Sequence, residues 1–272
     1  MPTPVVVTGE SGIGGSAVPT GDTRPIEVDD SGTLPTCTPE RLDTRTAGEL
    51  SVGAAAGVGA PWLSASGGLD RSVVTEVAAT LGFAPDDVHW AQVPAPPGQA
   101  VADVDLAVGT FVIPDDPSNA SADHSSGYLD LAQVVLVRRG STAPATLDGV
   151  MTGTVAAVSG TPGFAAATGL GAQSVTAMPD VDAAAAALRS GTVDFVVVDL
   201  ASAAPLVADA SARILGRLPS GMEQPQQFGL VLSAGSPLTS CVSAAVDALR
   251  IEGRLDALAA GVFGPAAMVE LR

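Results

Sequence analysis

The chain has no lysine: all 12 of its basic residues are arginines, set against 29 acidic ones. That absence excludes a Schiff-base mechanism and a P-loop, both of which need a lysine amine. Aromatic residues make up only 3% of the 272 positions, so the core must be built from Ala, Val and Leu. Positive charge is scarce overall. A formal net charge of −17 and a pI near 4.1 argue against binding nucleic acid or an anionic membrane surface. No apolar run approaches the roughly 18 residues of a membrane span. No secretory leader is visible either, since Met1 leads into Pro, Thr and Gly; if the protein is exported, its leader is absent from this chain. The two histidines, His89 and His124, have no His or Cys partner at ligand spacing, so neither a metal nor a cofactor is expected. Cysteine is almost missing too. Cys37 and Cys241 stand far apart and form no metal or redox motif, which leaves two free thiols or one long-range disulfide. A bridge closing so long a loop would stabilise the fold by about 5 kcal/mol in the chain-entropy model, and would imply an oxidising compartment.

What is present begins to organise at Glu49. Residues 1–36 are rich in Gly, Pro, Thr, Ser and Asp without periodicity and read as a flexible N-terminal arm. Leu50–Ala54 is a short strand, Ser72–Leu81 an amphipathic helix stopped by Gly82, and Val88–Val93 an alternating strand. Asp105–Val112 and Tyr128–Val137 follow as further extended elements, closed by a turn at Arg138-Arg139-Gly140-Ser141. Thr154–Val158 then opens a second module, and Ser159-Gly160-Thr161-Pro162-Gly163 is a tight loop that starts a helix. A strand at Val175–Ala177, a helix at Ala201–Ala208, a strand at Phe228–Leu232 and a helix pair over 238–250 and 253–261 complete the pattern. Strands alternating with helices mean an α/β fold with mostly parallel sheets flanked by helices.

One stretch carries the most information. The Ala-rich helix over Asp182–Arg189 stops at Ser190-Gly191, and the apolar run Phe195–Val198 then ends on Asp199. Four consecutive apolar residues suit a strand covered on both faces. A carboxylate at the carboxyl end of such a strand stands where open α/β sheets bind ligands, although Asp199 could equally cap the next helix.

These landmarks, in this order over residues 37–263, resemble the family 3 extracytoplasmic solute-binding proteins of amino-acid ABC importers, which have the type II periplasmic-binding fold. The resemblance is carried by Leu50-Ser51-Val52-Gly53, Pro61-Trp62, Ser125-Ser126-Gly127-Tyr128 with Val134–Ser141, the Gly160-Thr161 loop, Leu188–Asp199, and Phe228–Pro237 with the closing helices. It implies a two-lobed clamshell, with lobe one over 37–137 plus 227–272 and lobe two over 138–226. It also implies a small polar solute held in the cleft, an ABC permease as partner, a monomer, no catalysis, and an extracytoplasmic location. A subgroup with a Cys-Thr-Pro start and a later cysteine implies a Cys37–Cys241 disulfide. The implied solute contacts are Asp199, Thr161, Gly160, Trp62, Thr110 and the position now held by Asp116.

Asp116 is the departure from the pattern. Aligned on its proline, Ile113-Pro114-Asp115-Asp116 replaces the family's Thr-Pro-Glu-Arg, whose arginine grips an α-carboxylate bidentately; shifting the alignment by two residues places Ser118 there instead. Two alternatives therefore stand beside the receptor reading. One is a degenerate binding protein acting as a sensor or protein-interaction scaffold. The other is a dehydratase-like enzyme on the same fold, disfavoured because that arginine and any Gly-x-Ser-x-Gly elbow are missing.

Overall fold

The computed structural model describes residues 34, 36–64, 67–95, 97–116, 120–219 and 226–272. The expected arm therefore lies outside the described residues except at its end. There Leu34 is buried and its N–H donates to the Thr80 carbonyl (3.1 Å), so the packed chain starts ahead of Cys37.

The first sheet is built from β1 (Leu50–Ala55), α1 (Leu69–Thr80), β2 (Val88–Val93), the short α2 (Pro97–Ala100), β3 (Leu106–Val108) and β4 (Asp123–His124). The chain then passes through β5 (Leu129–Asp130) into β6 (Gln133–Arg138), α3 (Leu147–Thr152), β7 (Thr154–Val158), α4 (Pro162–Gly169), β8 (Ser174–Met178), α5 (Val181–Ser190), β9 (Phe195–Asp199), α6 (Leu200–Ala208) and β10 (Ala212–Arg217). It returns through β11 (Gln227–Phe228) to β12 (Val231–Leu232), α7 (Thr239–Ile251) and α8 (Arg254–Phe263). The two five-stranded sheets have matching orders, β2-β1-β3-β12-β4 and β8-β7-β9-β6-β10. In each, four strands run one way, and the reversed strand is the one next to a crossover, β12 or β6. Because β6 belongs to the second sheet, the crossover falls near residue 131, earlier than the expected boundary at 137/138.

Local chemistry accounts for these elements. Asp180 Oδ1 accepts from Ala183 N–H (2.8 Å) to cap α5, and Gly191, at φ 77°, ends it in the left-handed conformation that favours glycine. In β9 all four residues Phe195–Val198 are at most 4% exposed, and successive side chains enter different core clusters. Covering both faces stabilises this strand by about 1.5–3 kcal/mol per large side chain. Two expectations fail for identifiable reasons. The strand expected over 105–112 stops at Val108, because Gly109 and Thr110 both have positive φ. The element expected over 128–137 is split between β5, which pairs with β11, and β6 in the second sheet.

The crossover is layered. β5 and β11 pair antiparallel, and Gln227 Nε2 donates to Asp130 Oδ1 (2.7 Å). On the far side of β11, Ile113 N–H donates to the Gln227 carbonyl (2.9 Å) and Gly229 N–H to the Phe111 carbonyl (2.9 Å).

Cys37 and Cys241 are bonded, with their Cα atoms 5.6 Å apart. The bridge ties the segment before β1 to α7, inside the first lobe. Peptide mapping of unreduced protein should recover Cys37 joined to Cys241. Reduction should lower the unfolding free energy by up to about 5 kcal/mol, read from denaturant midpoints with and without reductant. Equal midpoints would show that the bridge contributes nothing.

Candidate functional site

In open α/β sheets the carboxyl ends of the strands present loops and helix N-termini to ligands. At that edge of the second sheet, β7 and β9 are parallel neighbours, and each leads directly into a helix. Thr161 caps α4: its Oγ1 donates to the Val158 carbonyl (2.7 Å) and accepts from Phe164 N–H (3.3 Å). Gly160, exposed at φ 76°, turns the chain out of β7. Asp199 caps α6, with Oδ1 accepting from Ser202 N–H (2.9 Å) and Oδ2 from Ser202 Oγ (2.6 Å). The carboxylate is half-buried, and each oxygen keeps a second lone pair. The structure thus brings Asp199, Thr161 and Gly160 to one sheet edge.

Gln133, inside the element expected over 128–137 and marked there by no local signal, stands opposite Asp199 in the β6–β9 register. Its Oε1 is buried without a hydrogen-bond partner among the described residues. It lies against the start of α4, where a Cβ at position 163 would come within 2.9 Å of both Gln133 Oε1 and the Val197 carbonyl. Gly163 is therefore needed for α4 to approach the sheet so closely.

The remaining expected contacts go elsewhere. Trp62 packs into the first lobe's core. It is 9% exposed and packed edge-on against Phe228 (ring centroids 5.4 Å apart) and tilted against Phe263 (5.2 Å), because so large an apolar ring gains more from burial than from a rim position. Asp116 is exposed, beyond the 111–113 segment that borders β11. Thr110, at φ 55°, turns its hydroxyl to the Gly109 carbonyl (2.7 Å) and its N–H to Asp70 Oδ2 (3.1 Å). His89 pairs with Glu49 (3.4 Å), while burial holds the half-buried His124 below its ordinary pKa and so neutral at pH 7.

Asp70 is the residue the sequence concealed, since an acid in the first turn of a helix is ordinary. It is fully buried, and Tyr128, the only tyrosine, donates its hydroxyl to Oδ1 (2.8 Å). Asp70 therefore joins the start of α1, the end of β3 and the entry to the crossover. Burial pushes its pKa from 3.8 up to about 7, against the opposing pull of the Tyr128 and Thr110 donors. The Tyr128 hydroxyl is pushed well above its usual range by the same burial and by the Asp70 charge.

Comparison with solved structures identifies the fold as a two-lobed solute-binding-protein clamshell. The Neisseria gonorrhoeae L-cystine solute receptor, in an unliganded open conformation, is 20% identical, with a TM-score of 0.60 over 81% of this chain and 95% of its own. Substrate-binding domain 2 of Lactococcus lactis GlnP, also in an open conformation, is 15% identical (TM-score 0.61; 82% and 97% covered). An ancestral cationic amino acid solute-binding protein is 19% identical (TM-score 0.53; 79% and 96% covered). These are binding proteins rather than enzymes. No family model matches the chain, and no curated protein matches it in sequence.

The Asp70 arrangement generates a pH prediction. Its folded pKa, about 7, lies above the ordinary 3.8 of an unfolded chain. Below about pH 4 both states hold the proton and the full stability is present. Between about pH 4 and 7 only the folded state holds it, so stability falls as pH rises, by up to about 4 kcal/mol in all, and is level above. Asp70→Asn mimics the protonated acid, accepting from Thr110 N–H and donating to Tyr128 Oη, and should remove this component. The wild-type-minus-variant difference in urea unfolding free energy should slope downward from pH 4 to 7. A difference that stays constant over that range would show that Asp70 does not titrate there.

Proposed function

We propose that this chain is an extracytoplasmic receptor that captures a small amine-bearing solute between its two lobes and delivers it to an ABC importer, without catalysing a reaction. The observation that carries this reading is the pairing of Asp199 and Thr161 as N-caps of neighbouring helices at one sheet edge of a two-lobed fold. The carboxylate supplies acceptors for an amine, and the helix N-terminus beside it supplies N–H donors. The Cys37–Cys241 bridge supports an oxidising, extracytoplasmic setting. Among the described residues no helix is long and apolar enough to cross a membrane.

The charge pattern of the loop sequences narrows the solute class. Segments 56–68, 109–116, 159–163 and 199–203 contain no arginine, lysine or histidine, whereas Asp199 at the sheet edge is acidic. Arg71, just inside α1, stacks over the Trp90 ring (3.9 Å), on β2. No guanidinium at these positions is offered to an α-carboxylate, and a free carboxylate entering the cleft would meet like charge as water leaves. That exchange costs several kcal/mol. Diamines and agmatine-like cations, which carry N–H donors and no carboxylate, fit better than simple α-amino acids or betaines.

A thermal-shift screen of diamines, guanidines, betaines, amino acids and short peptides tests the proposal. A true solute should stabilise the protein by about 2.7 kcal/mol at one hundred times its Kd and be recovered unchanged. Asp199→Asn keeps the cap, because asparagine caps as well as aspartate, but removes the charge. It should leave the unliganded midpoint unchanged and weaken a cationic solute at least tenfold by calorimetry. Micromolar binding of glutamate or glutamine would overturn the assignment of solute class. No hit from any class would favour the sensor or scaffold alternative.

A further inference from the structure

The segment after α8 leaves the first lobe. α8 packs on α1 and α7, and Phe263 at its end lies against Trp62. Gly264, at φ 86°, then breaks the helix, and after a short turn over Pro265–Met268 the chain runs beside β10, the outer strand of the second sheet. Arg217 N–H donates to the Val269 carbonyl (2.8 Å), Leu271 N–H to the Arg217 carbonyl (2.9 Å), and Leu147 N–H at the start of α3 to the Arg272 carbonyl (3.0 Å). The Arg217 guanidinium also donates to the Ala267 carbonyl and contacts Met268 Sδ (3.2 Å). Leu271 is 4% exposed inside the second lobe's core, with Val135, Val137, Leu215 and Leu218. A Cβ on Gly216 would come within 2.5 Å of Leu271 Cδ2, so β10 carries a glycine, and a register irregularity, where the leucine enters.

We propose that residues 264–272 form a third tie between the lobes, restraining the hinge in addition to the two crossovers. The pairing at β5 and β11 lets the lobes rotate about one layer. A strap anchored at Phe263 on one side and at Leu271 on the other must stretch or fold when that angle changes. With Phe263 buried at one end and residues 267–272 held to the second lobe at the other, the freedom of the hinge is set by the few residues of 264–266. The tie follows from the two-lobed fold and does not depend on which solute is bound.

The experiment uses the full oxidised chain carrying spin labels at exposed positions on the two lobes, through Thr75→Cys on α1 and Asp182→Cys on α5. Pulsed electron resonance then reads the distance distribution between the labels, with no ligand present. Inserting three glycines between Gly264 and Pro265 adds up to about 10 Å of slack while leaving Leu271 docked. The inserted protein should keep its thermal midpoint within a few degrees and show a distribution at least twice as wide. Leu271→Ala, which loosens the anchor, should widen it also. Leu215→Ala, in the same core but outside the strap, should lower stability without widening it. An unchanged distribution in the glycine insertion would overturn the proposal, as would widening by Leu215→Ala equal to that by Leu271→Ala, since the segment would then act only as packing for the second lobe.

Discussion

The fold depends on the layer where the chain crosses between its two sheets. Four of the nine aromatic residues gather there or beside it: Trp62, Tyr128, Phe228 and Phe263. In a chain built from alanine, valine and leucine, concentrating its largest side chains at the crossover places the most burial energy where the least regular backbone must be held. Phe228 lies in β11 and touches Trp62 of the first lobe, while Tyr128, at the start of the outgoing crossover, sends its hydroxyl to Asp70. Hydrogen bonds and aromatic packing thus fix the same few residues from both sides.

Around the layer, one construction is used twice. Ser51 at the start of β1 receives the N–H of Asp105 on its hydroxyl, and its own N–H and hydroxyl donate to the Asp105 carboxylate. Thr154 at the start of β7 does the same with Asp194, whose pKa is held below the ordinary value by the Thr154 N–H and hydroxyl. In both lobes the carboxylate immediately precedes the third parallel strand and sets its register against the first. The amino ends of the strands therefore serve structure in both lobes. The carboxyl ends differ: in the second lobe they carry Asp199 and Thr161, and in the first Asp70 is buried and committed to the hinge. This division follows from the chemistry. A capping carboxylate at a strand's exit keeps lone pairs for a ligand, and one sealed beneath a tyrosine does not.

How much of this could be read from the residues depended on whether a local pattern settled the answer. β7 was legible to the residue, β9 lacked only its terminal Asp199, and α5 was found within a residue at each end, because apolar runs and helix stops are local signals. β10 was not legible, since Ala212–Arg217 mixes charged, apolar and glycine residues and owes its pairing to β6 and to the incoming Leu271. The break at Thr110 was hidden for a related reason: a threonine at positive φ is held there by its long-range bond to Asp70. At the candidate site, Asp199 and Thr161 could be named because a carboxylate after a buried strand and a threonine before Pro-Gly are local features. The packing of Trp62 could not be read from its neighbours, because burial is not local. A tryptophan after a proline looks the same at a rim and in a core, and Phe228 and Phe263 decided between them from the far end of the chain.

Covalent and non-covalent constraints are placed differently, and this bears on motion. The Cys37–Cys241 bridge links two segments of the first lobe, the stretch before β1 and α7, so it rigidifies one side of the hinge without crossing it. The contacts that do cross, namely the β5–β11 pairing, the aromatic layer and the segment from Phe263 to Leu271, are all reversible packing and hydrogen bonds. A disulfide across the lobes would also stabilise the protein, but it would fix the angle between them. Reversible contacts each contribute about 1 kcal/mol net, small enough for a bound solute to redistribute. The covalent bridge therefore reinforces the first lobe, while the connections between the lobes are left to contacts that can form and break.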